Sequence, residues 1–449
     1  MKSLLRIWLL LMLATLPSLA QEAPPQLSVN EAVATALENN HGLRSANKTA
    51  EAAGYRKDQA YSSYYPSLDL SSTFQHSETL TSRGANGGVA VQQGGLFVVS
   101  NSNSNVRDNL GVSLNSRYDL FNPVRGHNTE AAEKTYQAAL FDLEGTRLDL
   151  ALQVRQLFYT AYLDQQLLAI RDQEVANRER HLEQAQGFHQ SGLRARNEVT
   201  KAEADLAQSK LTQAKARATL ETDWINLNVA MGRPASEPYQ LVLDQADALI
   251  PDVATAQLVE AAFKRRPELQ GLLARLQAQF ARAAAARAGR YPSLGISAGY
   301  NLNGQPTPFD PAWNVGVSLS IPLFDGFLDE YTAKEAQASA EAISEDFEQQ
   351  RDVVYREIAS LMATVRQTQV QLETARVGIT AAEENYRLAS ERYKVGVGTD
   401  LELSDAELAL TQARSELVSA ESALFQARAQ LARAVGVFDL ANLNLEGDS

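Results

Sequence analysis

The segment GFHQSGLRARNEVTKAEADLAQSKL, Gly187–Leu211, is answered later in the chain by ERYKVGVGTDLELSDAELALTQARSEL, Glu391–Leu417. Gly192 stands against Gly396, a shift of 204 residues, and the same shift pairs Ala202-Glu203 with Ala406-Glu407, Leu206 with Leu410 and Gly232 with Gly436. Working outward, YPSLDLSSTF at Tyr65 answers YPSLGISAGY at Tyr291, and GVSLN at Gly111 answers GVSLS at Gly316. The order helix, strand, strand, long helix, turn, helix is therefore written twice. Two copies are too few for a solenoid, but they suit a pseudo-symmetric subunit.

The helices carry a seven-residue period. Val154, Ala161, Leu168, Val175 and Leu182 form one line, and Ile358, Val365, Leu372, Ile379 and Tyr386 its shifted partner. The returning helices carry Leu403, Leu410, Leu417, Leu424 and Leu431, and Val199, Leu206, Leu220 and Leu227, with Gln213 interrupting the second line. A strict seven-residue repeat makes helices supercoil around each other, so each half should hold an antiparallel helical hairpin. An ascending helix from Thr129 to Ser191 would be roughly 90 Å long at 1.5 Å per residue. On heptads alone, a free coiled coil or spectrin-like rod stays open.

Between the helices apolar and polar residues alternate. Leu68, Leu70 and Phe74 alternate with Asp69, Ser71 and Thr73; Leu110, Val112, Leu114, Tyr118 and Leu120 with Gly111, Ser113, Asn115, Arg117 and Asp119. Leu294, Ile296, Ala298, Tyr300 and Leu302, and then Val315, Val317, Leu319, Ile321 and Leu323, repeat the pattern. These are strands with one apolar and one small polar face, as membrane barrels use; a soluble sandwich would also bury one such face. Four strands cannot close a barrel, and open edges are a liability, whereas three copies would supply twelve. The linker from Thr81 to Asn105 and the loop Gly304 to Ala312 read as exposed connections, and Tyr118, Phe121, Tyr291, Trp313 and Phe324 sit near strand ends, as girdle or as core.

The N-terminus reads as an export signal: Lys2 and Arg6, an apolar run from Ile7 to Leu16, then Ser18-Leu19-Ala20 before a mature start at Gln21. The chain has no cysteine, which excludes disulfides, thiol chemistry and lipidation at a new N-terminal Cys. Beyond the signal no apolar stretch reaches the roughly 18 residues of a spanning helix, so any membrane span must be built of strands. The formal charge of -13 repels nucleic acid.

No catalytic constellation stands out, and the residues call for no cofactor or metal. His41, His76, His127, His181 and His189 are scattered and read as surface histidines; there is no HExxH, Walker loop, Rossmann fingerprint or GxSxG. The acidic group Asp400, Glu402, Asp405 and Glu407 opens the last helix. Thr399 and Glu402 have the spacing of a capping box, and acids favour a helix N-terminus.

These features together resemble the TolC family of outer-membrane factors. The turn motifs Phe188 to Leu206 and Tyr393 to Leu410, the YPSL entries and the exits Leu120-Phe121 and Pro322-Leu323-Phe324 carry the resemblance, which covers essentially the whole mature chain. It implies a mainly α fold with a membrane β-barrel portion: a homotrimer whose twelve-stranded barrel tops a long coiled-coil α-barrel. Each protomer would give two continuous long helices and two rods of shorter stacked helices, here Ser28–Tyr64 with Asn197–Met231 and Ala254–Arg290 with Asp400–Val435. The chain then divides into a signal peptide at 1–20, a first repeat at 21–232 with strands about 66–80 and 106–121 and a tip about 188–198, and an equatorial segment at 233–253. A second repeat at 254–437 has strands about 291–303 and 314–324 and a tip about 393–402, before an equatorial tail at 438–449.

By the same resemblance, Glu402 and Asp405 align with acidic rings at the periplasmic mouth, where three copies would repel one another and attract cations. Tyr393 matches the family's gating aromatic. Gly398 stands where the family has a basic gating residue; Arg194, Arg196 or Lys394 are candidates to replace it. Gly192, Leu193, Gly396 and Val397 are candidates for contact with a periplasmic adaptor, through which an inner-membrane pump would be joined. The implied function is a passive exit duct for efflux or type I secretion, in contact with outer-membrane lipid. The alternative from another class is a periplasmic coiled-coil adaptor or scaffold.

Overall fold

The computed structural model describes residues 25–81, 103–193, 195–235, 237, 239–243, 254–304 and 308–440. The signal peptide, linker residues 82–102, Arg194, loop residues 305–307, positions 236, 238 and 244–253 of the equatorial segment, and 441–449 of the tail lie outside them. In chain order the elements are β1 (Gln26–Ser28), α1 (Val29–Asn39), α2 (His41–Tyr61), β2 (Ser67–Thr81), β3 (Asn103–Phe121), α3 (Pro123–Gln190) and α4 (Arg196–Met231). There follow β4 (Gln240–Val242), α5 (Thr255–Arg265), α6 (Pro267–Ala288), β5 (Ser293–Gly304), β6 (Phe309–Ser320), α7 (Leu328–Lys394) and α8 (Asp400–Val435).

These elements fall into two compact units. One gathers the described residues of 49–141 and 270–349. Its centre is a four-stranded antiparallel sheet in the order β2-β3-β5-β6. The register puts Leu70 opposite Leu114, Leu114 opposite Tyr300, and Tyr300 opposite Trp313. The next row reads Asp69, Asn115, Gly299, Asn314. One face is therefore apolar across all four strands and the other small and polar, because side chains alternate with period two. The apolar face is not covered: Leu68, Leu70, Phe74, Trp313, Val315, Val317 and Leu319 are each more than half exposed.

β6 departs from the strand expected over 314–324: it runs Phe309–Ser320. It begins earlier because an edge strand tolerates proline, so Pro311 pairs with Leu302. It ends earlier because Pro322 offers no N–H to a ladder and the chain turns through Gly326 and Phe327, at φ 70° and 64°. The loop expected over Gly304–Ala312 is correspondingly strand from Phe309. α3 starts six residues before the expected Thr129, with Pro123 in its first position, where the missing N–H costs nothing. Arg125 closes this strand-to-helix junction: its guanidinium lies 4.8 Å from the Tyr64 ring centre and donates to the Asp119 carbonyl at 2.6 Å.

The other unit gathers the described residues of 1–48, 142–269 and 350–449. Here β1 pairs in parallel with β4, Leu27 opposite Leu241. Around this pair Val29, Val33, Val154, Phe158, Leu227, Met231 and Tyr239 form one buried cluster, each large side chain contributing about 1.5–3 kcal/mol of burial. Two of the expected stretches, Ser28–Tyr64 and Ala254–Arg290, are each broken into two helices. Asn40 adopts extended geometry and its Oδ1 accepts from Leu43 N–H, starting α2. Arg266 is extended because Pro267 follows it. Each break abuts the end of a returning helix: Gly232 and Gly436, at φ 71° and 86°, close α4 and α8. A Cβ on Gly232 would lie 2.6 Å from the Asn39 carbonyl oxygen, and one on Gly436 3.1 Å from the Arg265 carbonyl carbon.

Candidate functional site: the two hairpin turns

Both turns follow one recipe. α3 ends with Gly192 at φ 73° and α7 with Gly396 at φ 79°. Leu193 N–H donates to the Phe188 carbonyl at 2.9 Å, and Val397 N–H to the Arg392 carbonyl at 3.1 Å. This left-handed closure needs glycine; nothing lies within 4 Å of a Cβ at either position. Leu193 and Val397 are both 71 % exposed, so the proposed contact residues form open apolar knobs.

The second turn is the more tightly built. Thr399 Oγ1 accepts from Glu402 N–H at 3.1 Å while the Glu402 carboxylate accepts from Thr399 N–H, a complete capping box. Arg392 lies 3.7 Å from the same carboxylate across the turn. Glu402 is thus engaged as a cap, yet it remains exposed, as does Asp405 three residues on, so the two share one helix face. Tyr393 is 1 % exposed. Its ring packs at 5.5 Å from His181 and 6.0 Å from Phe188, and its place is therefore inside the turn's packing. Gly398 has no room for a side chain: a Cβ there would meet Tyr393 N at 2.8 Å. A basic residue is excluded at this position by the backbone itself.

Five polar or charged residues that sequence reasoning did not single out as a group join the hairpins here. His181 of α3 and Lys201 of α4 both reach Asp400, Nε2 to Oδ1 at 2.7 Å and Nζ to Oδ2 at 2.9 Å. His181, read from the sequence as a surface residue, is 7 % exposed. Arg178 lies 3.2 Å from Glu407. Burial pushes the Asp400 carboxyl up, but the hydrogen bond and charge of Lys201, helped by His181, outweigh it and leave it below the ordinary range. The bond to Asp400 in turn raises Lys201. Burial raises Glu407, and Arg178 offsets this only in part. One signal was present in the sequence: the 204-residue shift sets Lys201 against Asp405, so the two turns carry opposite charges at matching places. Among the described residues no group of three potential ligands gathers for a metal, and no helix is long and apolar enough to cross a membrane.

A doubled hairpin whose strands present an uncovered apolar face belongs with the channel-forming efflux proteins of outer membranes. The family model for outer membrane efflux protein matches residues 32–233 and 258–437, and the chain is a member of that family. It is 24 % identical over 407 residues to the toluene efflux pump outer membrane protein TtgC of Pseudomonas putida, covering 87 % of this chain and 79 % of that one. It is 25 % identical over 447 residues to protein CyaE of Bordetella pertussis, covering 96 % and 90 %. The fold matches the CmeC outer membrane channel of Campylobacter jejuni with a TM-score of 0.74 at 17 % identity, over 93 % of this chain and 87 % of that one.

Proposed function

We propose that the protein is the exit duct of an efflux or type I secretion assembly, three copies closing their sheets into one twelve-stranded barrel in the outer membrane. The observation that carries this is the sheet: apolar on one exposed face, polar on the other, with β2 and β6 unpaired at its edges among the described residues. In hydrocarbon every backbone group needs a partner, and only a closed barrel supplies it. The chain brings no catalytic group to the duct; transport energy comes from an inner-membrane pump, reached through a periplasmic adaptor that docks on the exposed knobs around Gly192, Leu193, Gly396 and Val397. That TtgC is the outer membrane protein of a toluene efflux pump supports such a partner. An adaptor role for this chain itself finds no support: an adaptor has no use for a membrane-facing sheet.

Conduction is gated at the second turn, where Glu402 and Asp405 of three copies form acidic rings. The experiment is single-channel recording in planar bilayers with Glu402→Gln and Asp405→Asn. Glutamine still completes a capping box, so the change removes charge and spares the helix start. Cation selectivity should fall in both variants; selectivity unchanged in the double variant removes these residues from the pore. A mature protein recovered as a detergent-free monomer would sink the barrel.

A further inference from the structure

Two helices of the unit built on 142–269 and 350–449 keep an uncovered apolar line. On α4, Leu211, Ala218 and Ile225 fall seven apart, and Val229 follows one turn later. On α7, Ala363, Val370 and Val377 fall seven apart, and Tyr355 precedes them. All are exposed, the large side chains by 46 % to 67 %. A heptad line left exposed is one side of a coiled-coil seam. Within the chain the equivalent seam is filled, because α8 runs antiparallel along α3. Arg433 Nε donates to Asp149 Oδ1 at 2.6 Å, and Ser422 Oγ donates to the Tyr159 carbonyl at 3.2 Å.

The 204-residue shift carries this seam onto the open one. Moving α8 back to α4 and α3 forward to α7 turns Arg433–Asp149 into Val229–Val353, and Ser422–Tyr159 into Ala218–Ala363. Continued along the helices, the register sets Ile225 against Tyr355 and Leu211 against Val370. Every one of these pairs is apolar. One chain does not make the contact, since both lines are exposed. A contact between two different patches is head-to-tail, and it closes a ring when its rotation allows. We infer that α4 of one copy packs antiparallel on α7 of the next, in the register carried over from α8 on α3, and that the different chemistry of the two seams sorts the helices. Setting α8 on a neighbour's α7 would put Arg433 against Val353 and strip it of Asp149, and a buried charge that loses its partner is costly. The ion pair thus selects the seam inside the chain and the apolar pairs the seam between copies, because the exchange is penalised. The inference rests on the three-copy reading given above and names the helical surface that joins the copies.

The chain has no cysteine of its own, so introduced thiols report alone. Ala218→Cys with Ala363→Cys, oxidised in outer-membrane preparations of the full mature protein, should join copies into covalent dimers and closed trimers on non-reducing gels. Ala218→Cys with Val370→Cys moves one thiol roughly 10 Å along α7. That exceeds the ~7 Å a disulfide spans between Cα atoms, and the product should fall to about a tenth or less. Val229→Arg alone should lower the trimer-to-monomer ratio in detergent by about a hundredfold, since it buries an unpaired charge at every seam. Adding Val353→Asp writes the in-chain ion pair into that seam and should restore most of the trimer. Equal cross-linking by the two cysteine pairs, a Val229→Arg trimer as abundant as wild type, or a loss that Val353→Asp does not repair overturns the inference and leaves the channel standing. A wild type that yields no trimer strikes the channel reading first, and the seam with it.

Discussion

Tyr393 and His189 occupy the same place in two copies of one hairpin, 204 residues apart. The tyrosine is 1 % exposed and fills the second turn; the histidine lies on the surface of the first. The skeletons around them match closely. α3 and α7 have 68 and 67 residues, and α4 and α8 have 36 each. What differs is the fastening. The second turn has a capping box, a buried ring and a carboxylate held from two sides, whereas the residue before α4, Ala195, offers no side-chain cap. One copy is built to hold a defined geometry and the other to be carried along with it, as expected if only the second lines a gate.

The largest effect should come at the ring. Tyr393→Ala should lower stability by about 3–5 kcal/mol, the usual cost of removing a buried aromatic, and His189→Ala should stay within about 0.5 kcal/mol. Urea midpoints in detergent measure both; equal shifts would mean that the turns are not fastened differently. Next come the two helix ends. A left-handed residue with a Cβ costs about 1–2 kcal/mol. Gly232→Ala adds a collision with a rigid carbonyl oxygen at 2.6 Å and should cost about 2–4 kcal/mol, since overpacking adds its own penalty, while Gly436→Ala, with contacts no closer than 3.1 Å, should stay nearer the lower figure. Equal losses at the two glycines would show that the Asn39 carbonyl yields.

At the caps the contrast is smaller and can be run in both directions. Thr399→Ala should cost about 1 kcal/mol, and Ala195→Ser should return about half of that or more to the first hairpin. A stabilising serine at 195 would show that the first turn is under-fastened by its sequence rather than by strain in its backbone.

The repeat, the seven-residue lines and the alternation in the strands were legible because each is a periodic property of neighbouring residues. Val154, Ile358, Val365 and Leu431 are all buried as their heptad places require. The boundaries of β6 were not legible: Pro311 looks like a breaker until the strand is known to be an edge. The break at Asn40 was missed because asparagine has no fixed backbone preference; it starts α2 only because Gly232 and Ala230 stand beside it, Asn40 Nδ2 donating to the Ala230 carbonyl at 2.8 Å. The fastenings of the candidate site were hidden for a related reason. His181 and Asp400 are 219 residues apart, as, away from the turns, Arg433 at the far end of α8 is remote in sequence from its partners Asp149 and Glu268. No local pattern announces such partners. They follow once the hairpins are packed, and only the opposite charges at Lys201 and Asp405 hinted at them beforehand.

The smallest expected effect tests the contrast away from the turns. Asp164 of α3 faces Asp223 of α4, and burial, with that neighbouring carboxyl, raises it to about 7. At the shifted positions the second hairpin has Thr368 and Ala427, both buried, with Thr368 Oγ1 donating to the Val365 carbonyl at 2.9 Å. The first hairpin therefore has a facing pair of carboxyls where the second has none. A carboxyl raised in the fold binds its proton there at a pH where the unfolded chain has released it, so the fold gains stability as pH falls. That gain is complete below the ordinary carboxylate range and is lost as pH rises through about 7. The urea midpoint of wild type should accordingly rise between pH 8 and pH 5, modestly, because the site is partly open to solvent screening. Asp164→Thr with Asp223→Ala, which writes the second hairpin's residues into the first, should remove this slope and match or exceed wild type at pH 8. A slope that persists in the double variant would place the titrating group elsewhere, with Glu407, also raised by burial, the next residue to replace.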